Sequence, residues 1–239
     1  MVWFSAAIRP LVCGLALLAP ISLLLTSGIY ASEVSGRILI QGKASQKTVA
    51  PVVYDLRGAN VPDGSPIRGN GSAFDRVAVW LESNAVIPGE PGGTANARMQ
   101  QRNRHFEPEL LIVPVGATVE FPNSDPIFHN IFSLSRVQAF DLGYYPEGQS
   151  RTVTFPRSGI VQVYCHVHPG MYGVIIVTSS PWTSKPAKDG SFAWRDVPPG
   201  RYRLMIWNRS TGLAHKKVIV PSQGTAEVSV AIPQEDLEQ

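Results

Sequence analysis

Beyond residue 32, apolar residues come in short bursts that alternate with polar ones or run on for four or five positions, and Gly, Pro, Asn and Asp break the bursts repeatedly. No stretch there keeps a helical period for long. The pattern therefore predicts an all-β chain. Strands are expected at 34–40, 77–82, 110–115, 117–121, 129–134, 151–155, 160–165 and 174–178, with four more at 191–194, 201–207, 217–220 and 226–232. Turn signals such as V-G-A, P-N-S-D-P, D-G and P-P-G separate them. Two segments read as long loops: 60–72, rich in Gly, Pro and Asn, and 84–104, which carries P-G-E-P-G-G and ends in the polar M-Q-Q-R-N-R. Arg98, Arg102 and Arg104 are expected to be solvated on the second loop; a docking patch for an acidic partner is the alternative.

The first 31 residues have another character. Arg9 supplies a positive start, 11–25 an apolar stretch interrupted by Pro20, and G-I-Y-A-S a small-residue exit, which is the form of an export signal cleaved near Ala31 or Ser32. The apolar run is shorter than the ~20 residues that span a bilayer comfortably, so a retained membrane anchor is the weaker alternative. Cys13 would leave with the signal, and the two cysteines of the chain fall to one. A lone cysteine cannot close an internal disulfide, and oxidising compartments consume free thiols. Cys165 is therefore expected to be protected by a metal in a periplasmic or otherwise exported protein. The formal net charge of +3 drops to +2 without Arg9, and no nucleic-acid footprint is visible. With 44% hydrophobic and 16% charged residues, the chain can build one large domain or two small ones with proper cores.

The chemistry concentrates in C-H-V-H-P-G-M, residues 165–171, read with His129 in F-H-N-I-F. A thiolate, imidazoles and a thioether form a soft, compact donor set suited to copper. Cys165, His168 and Met171 follow one strand in a C-x-x-H-x-x-M loop turned by Pro169 and Gly170, and His129 comes from another strand. Two imidazoles and a thiolate in a trigonal plane with a weak axial thioether suit both Cu(I) and Cu(II). Three strong donors and one weak one leave no open position for a substrate, which points to one-electron transfer and away from catalysis. No Ser-His-Asp set, H-E-x-x-H, phosphate loop or paired acidic motif supports a hydrolase or kinase. His166 competes with His168; His168 is preferred for its spacing, whereas His166 adjoins Cys165 and should point the opposite way. His105 and His215 have no partner motif and are expected at the surface.

Residues 106–178 resemble a cupredoxin domain of the plastocyanin, amicyanin and pseudoazurin type. The resemblance covers F-E-P-E-L-L-I-V-P-V-G-A-T-V-E-F-P-N-S-D, then H-N-I-F-S, then G-I-V-Q-V-Y-C-H-V-H-P-G-M-Y-G-V-I-I-V. It implies a Greek-key β-sandwich with one type 1 copper ion held by His129, Cys165, His168 and Met171. It also implies that Asn130 ties the two ligand-bearing loops together, although His166 stands where relatives often carry Ser or Thr. Electrons would leave through His168, with Val167, Pro169 and Gly170 in an apolar patch. The partner would be a c-type cytochrome or a dehydrogenase, as for the methylamine-utilisation-type proteins that the chain is similar to. A second resemblance, on V-S-G-R-I, V-A-V-W-L and K-D-G-S-F-A-W-R-D-V-P-P-G-R-Y-R-L, is to transthyretin-like, or carboxypeptidase-regulatory-like, β-sandwich modules. The expected organisation is a signal at 1–31, the first strands of that module at 33–83, a linker at 84–104, the cupredoxin domain at 105–180 and the last strands of the module at 181–239, with two serial domains as the alternative. Other readings of the function are copper storage or delivery, or an envelope interaction module with accessory copper.

Overall fold

A computed structural model describes residues 32–43, 72–83 and 96–234. The segment 1–31 expected to be an export signal, nearly all of the 60–72 loop and the first part of 84–104 lie outside the described residues. In chain order the strands are β1 (Ser32–Lys43), β2 (Ala78–Glu82), β3 (Asn96–Arg98), β4 (Gln100–Arg102), β5 (His105–Glu107), β6 (Leu110–Pro114), β7 (Thr118–Pro122), β8 (His129–Ser135) and β9 (Gln138–Tyr145). There follow β10 (Ser150–Thr154), β11 (Gly159–Tyr164), β12 (Tyr172–Thr178), β13 (Thr183–Ser184), β14 (Ser191–Trp194), β15 (Gly200–Asn208), β16 (Gly212–Val220) and β17 (Gly224–Gln234). One short 3-10 turn, Ala73–Arg76, precedes β2. Among the described residues no helix is long and apolar enough to cross a membrane.

The chain is all-β and is arranged as β-sandwiches. One pairs the sheet β14-β1-β17 with the sheet β13-β2-β15-β16 around Val34, Ile38, Leu81, Leu204, Ile206 and Val228. In this unit β1 runs parallel to β17, so strands from the two ends of the described chain lie side by side. The other pairs β6-β12-β11-β8-β9 with β10-β7-β3 around Phe121, Ile131, Val161, Val163 and Ile175.

Continuous apolar runs explain how the two units meet. In β2, Val79 and Leu81 point into the first core while Ala78 and Trp80 point the other way; in β15, Leu204 and Ile206 divide from Met205 and Trp207 in the same manner. In β12, Ile175 and Val177 enter the second core while Val174 and Ile176 turn outward to meet Trp80, Met205 and Trp207. These strands are buried on both faces, which is why their sequences do not alternate. Burying that third cluster welds the sandwiches into one stack through apolar contact.

The segment 84–104 is not a loop throughout. From Asn96 onward it forms β3, parallel to β7, and β4, paired with β5. Only Ala97 and Met99 are apolar in A-R-M-Q-Q-R, so the run looked solvated; Met99 is fully buried, and Gln101 is buried by donating to the Tyr145 hydroxyl at 2.6 Å. Strand β9 also lay outside the expected set.

Candidate metal centre

Strands β11 and β12 form an antiparallel hairpin whose last pair is Tyr164 and Tyr172. The seven residues between them are 165–171. Cys165 begins this loop and is buried, Met171 ends it and is buried in the same apolar cluster, and His168 lies half-buried between. Gly170 takes φ +84°, a left-handed conformation that glycine adopts at little cost, and the Met171 amide donates to the His168 carbonyl at 3.1 Å. These two features fold the loop back on itself. His129, the first residue of β8, is fully buried and enters from the neighbouring strand.

The structure brings His129, Cys165 and His168 together, with one donor atom from each lying within 4.8 Å of the others. Nδ1 of His129 is 3.8 Å from Cys165 Sγ and Nδ1 of His168 is 3.7 Å from it. The two rings meet edge to face at a centroid distance of 4.6 Å. Both separations are short enough for the three atoms to share one metal ion, and a thiolate with two imidazoles is a soft donor set that fits copper.

Asp125 completes the site and was not singled out by its sequence, where P-N-S-D-P reads only as a turn. It is buried, and its Oδ2 lies 2.8 Å from His129 Nε2. Burial pushes the carboxyl up, but the Arg104 amide, the His129 ring and the Asn103 amide together outweigh it and hold Asp125 below the usual carboxylate range. A carboxylate only accepts, so Nε2 donates to Asp125, and Nδ1 is the ring nitrogen that faces Cys165. Asn103 and Arg104, at φ +53° and +61°, are the two-residue turn between β4 and β5, and both of their amides donate to Asp125, at 2.6 and 2.9 Å. Asn123 fixes the carboxylate from behind: its Oδ1 accepts from the Asp125 amide at 2.9 Å and its Nδ2 donates to the Ile127 and Tyr145 carbonyls. The spacing of Asp125 four residues before His129 was the available signal.

His166 stands apart. Its exposed ring stacks on Phe132 at 3.8 Å and 6°, and its Nε2 is 3.6 Å from Asp141 Oδ2. The expectation that Asn130 links the two ligand loops is corrected. Its Nδ2 donates to Asp141 Oδ1 on β9 at 2.6 Å, and its Oδ1 is buried without a hydrogen-bond partner among the described residues. The β8–β9 register shifts between Asn130 and Phe132, and Asp141 becomes the shared acceptor for Asn130 and His166. Burial, then the positive side of His129 and Arg104, lower the His168 pKa below the ordinary histidine value against the opposing pull of Asp125. Its ring is neutral at pH 7 and free to act as a donor. Phe128 and Val167, the residues just before His129 and His168, are 59% and 45% exposed, and Pro169 is exposed beside them in sequence. His215 is exposed as expected, whereas His105 is half-buried on β5.

No protein-family model and no curated protein matches the chain. Among solved structures, the chain is similar to a purple cupredoxin from Nitrosopumilus maritimus, at 28% identity over 34% of this chain and 98% of that one, with a TM-score of 0.32. It is also similar to a reduced amicyanin variant, at 23% identity over 41% of this chain and 98% of that one, TM-score 0.32. A copper-containing nitrite reductase from Thermus scotoductus shows 25% identity over 39% of this chain and 24% of its own length, TM-score 0.34.

Proposed function

We propose that the chain is an exported, cupredoxin-type copper protein that carries single electrons between redox partners. One copper ion would be held by His129, Cys165 and His168, with Met171 as a weak fourth donor. The observation that carries the reading is the convergence of two imidazole Nδ1 atoms on one buried thiol at 3.7 and 3.8 Å. Bound copper would supply a Cu(I)/Cu(II) couple, and a soft set of two imidazoles, a thiolate and a thioether suits both oxidation states.

The protein's own groups account for the remaining properties of such a carrier. Asp125 keeps His129 in one tautomer and orientation, and the β11–β12 hairpin holds both ends of the ligand loop. The buried position of Cys165 keeps water and oxidants away from the thiol. Exposed Val167, Pro169 and Phe128 provide an apolar surface for a brief encounter with a redox protein, such as a c-type cytochrome or a dehydrogenase.

The test is to add Cu(II) to the purified mature protein and record the visible spectrum. An intense thiolate-to-copper band that Cys165→Ser abolishes is expected. Identical spectra for wild type and Cys165→Ser would defeat the reading.

A further inference from the structure

Directly behind the metal centre, the ligand loop is closed by an aromatic pair. Tyr164 and Tyr172 are opposite each other at the ends of β11 and β12, with ring centroids 5.3 Å apart, and they immediately flank Cys165 and Met171. Gln162 bridges them: the Tyr164 hydroxyl donates to its Oε1 at 3.1 Å and its Nε2 donates to the Tyr172 hydroxyl at 3.4 Å. The next contact comes from the other sandwich. Arg209, in the turn after β15, places its guanidinium 4.5 Å from the centre of the Tyr172 ring. The same guanidinium reaches Glu109 at 3.6 Å; Glu109 in turn binds Arg76 at 2.9 Å and accepts from the Val174 amide on β12 through its backbone carbonyl at 2.8 Å.

The Arg209 turn is itself held from below. Asn208 is buried, and its Oδ1 accepts from both the amide and the hydroxyl of Thr211, while Gly212 at φ +66° completes the reversal. Met205 and Trp207 anchor this end of β15 in the apolar cluster shared with Val174, Ile176 and Tyr172. The base of the ligand loop is thus gripped between Gln162 on one side and Arg209 on the other. A guanidinium over a half-buried aromatic face holds the ring in place and also keeps its charge satisfied by a carboxylate.

The geometry points to Arg209 as a positioning residue for the metal centre: through Tyr172 and Glu109, the sandwich that contains β15 clamps the hairpin that presents Cys165 and Met171. The inference rests on the copper reading for its consequence and on the copper-free protein for its mechanics. Met171 would be the weakest of the four donors, so the placement of its neighbour Tyr172 would matter most for its hold on the ion. Releasing Tyr172 frees the Met171 end of the loop while leaving His129 and Asp125 untouched. A function for the sandwich that contains β15 follows: it would set how firmly the loop retains and tunes the ion.

Arg209→Ala, Arg209→Lys, Tyr172→Phe and the control Arg203→Ala, made in the full mature chain, test it. Arg203 pairs with Glu82 inside the sandwich that contains β15, and its replacement removes the same charge without touching the hairpin. In the copper-free protein, hydrogen exchange of amides 171–173 is expected to rise about fivefold in Arg209→Ala, the size of one lost cation–π contact. Arg209→Lys should stay near wild type, since a cation remains, and Tyr172→Phe, which keeps the ring face and loses only the Gln162 contact, should rise less than Arg209→Ala. In the copper-loaded protein, Arg209→Ala should lose the ion to a chelator about tenfold faster and change the intensity ratio of its visible bands. Arg203→Ala should do neither. Wild-type exchange, copper loss and spectrum in Arg209→Ala would overturn the clamp, as would equal changes in Arg203→Ala. If wild type takes up no copper, the electron-carrier reading fails, and the exchange measurement still decides the clamp.

Discussion

The two sandwiches are built from similar strands yet differ in what they bury. Around β1, β2 and β13–β17 the interior is apolar, and Ser32 and Asn208 are its buried polar side chains among the described residues. In the other sandwich Gln101, Asn123, Asp125, His129, Asn130, Ser133 and Thr178 are buried. A buried polar group costs stability unless it is paired, and most of these are paired at one end of the sandwich. The first unit spends its interior on stability. The second gives part of its interior to holding one histidine and one thiol still.

That contrast can be broken by mutations on either side. The largest effect on stability is expected in the apolar unit: Leu204→Ala should cost about 3 kcal/mol in chemical denaturation, from lost burial and the cavity left behind. Its copper spectrum should nevertheless stay wild type. Asp125→Ala comes next, leaving the Asn103 and Arg104 amides and His129 Nε2–H without their acceptor. It should cost about 2 kcal/mol and weaken copper binding by about ten- to a hundredfold in chelator competition, with Asp125→Asn falling between. If Asp125→Ala spares copper affinity, the polar network serves folding alone and the comparison collapses. A smaller effect is expected from His166→Ala, which removes a stacked ring at a cost of about 1 kcal/mol while keeping the visible band. His168→Ala should lose the band, and the opposite assignment would make His166 the ligand. The smallest effect belongs to Arg37→Ala, whose ion pair with Asp189 is exposed on both sides; no measurable shift in thermal unfolding is expected.

The grouping of His129, Cys165 and His168 was legible because all three are chemically distinctive and two of them share one short loop. C-H-V-H-P-G-M needs only one tight hairpin to gather its side chains, and F-H-N marks the start of a strand. The core strands were legible for a related reason, since V-A-V-W-L and V-I-I-V cannot be exposed on either face. Periodicity says nothing, however, about which strand a strand will meet. Polar edge strands were hidden as well: A-R-M-Q-Q-R carries charge on its outer face and buries a glutamine through a tyrosine hydroxyl that no local pattern announces. Asp125 was hidden by resembling an ordinary turn aspartate until the β4–β5 amides were seen to converge on it. Asn130 misled because a shift of register, set by the whole β8–β9 ladder, chose its partner.

The parallel pairing of β1 with β17 also governs the order of assembly. Ser32 waits for Pro221, 189 residues away, to accept its hydroxyl proton, whereas every partner of the ligand hairpin lies within a much shorter span of chain. Contacts of such long separation form late, because the entropy of closing the loop must be met first. During synthesis, the sandwich that carries His129, Cys165 and His168 has all of its strands before β17 is available to pair with β1. Until the tail arrives, the sequence E-V-S-G-R-I-L-I is an open sheet edge that another copy could capture.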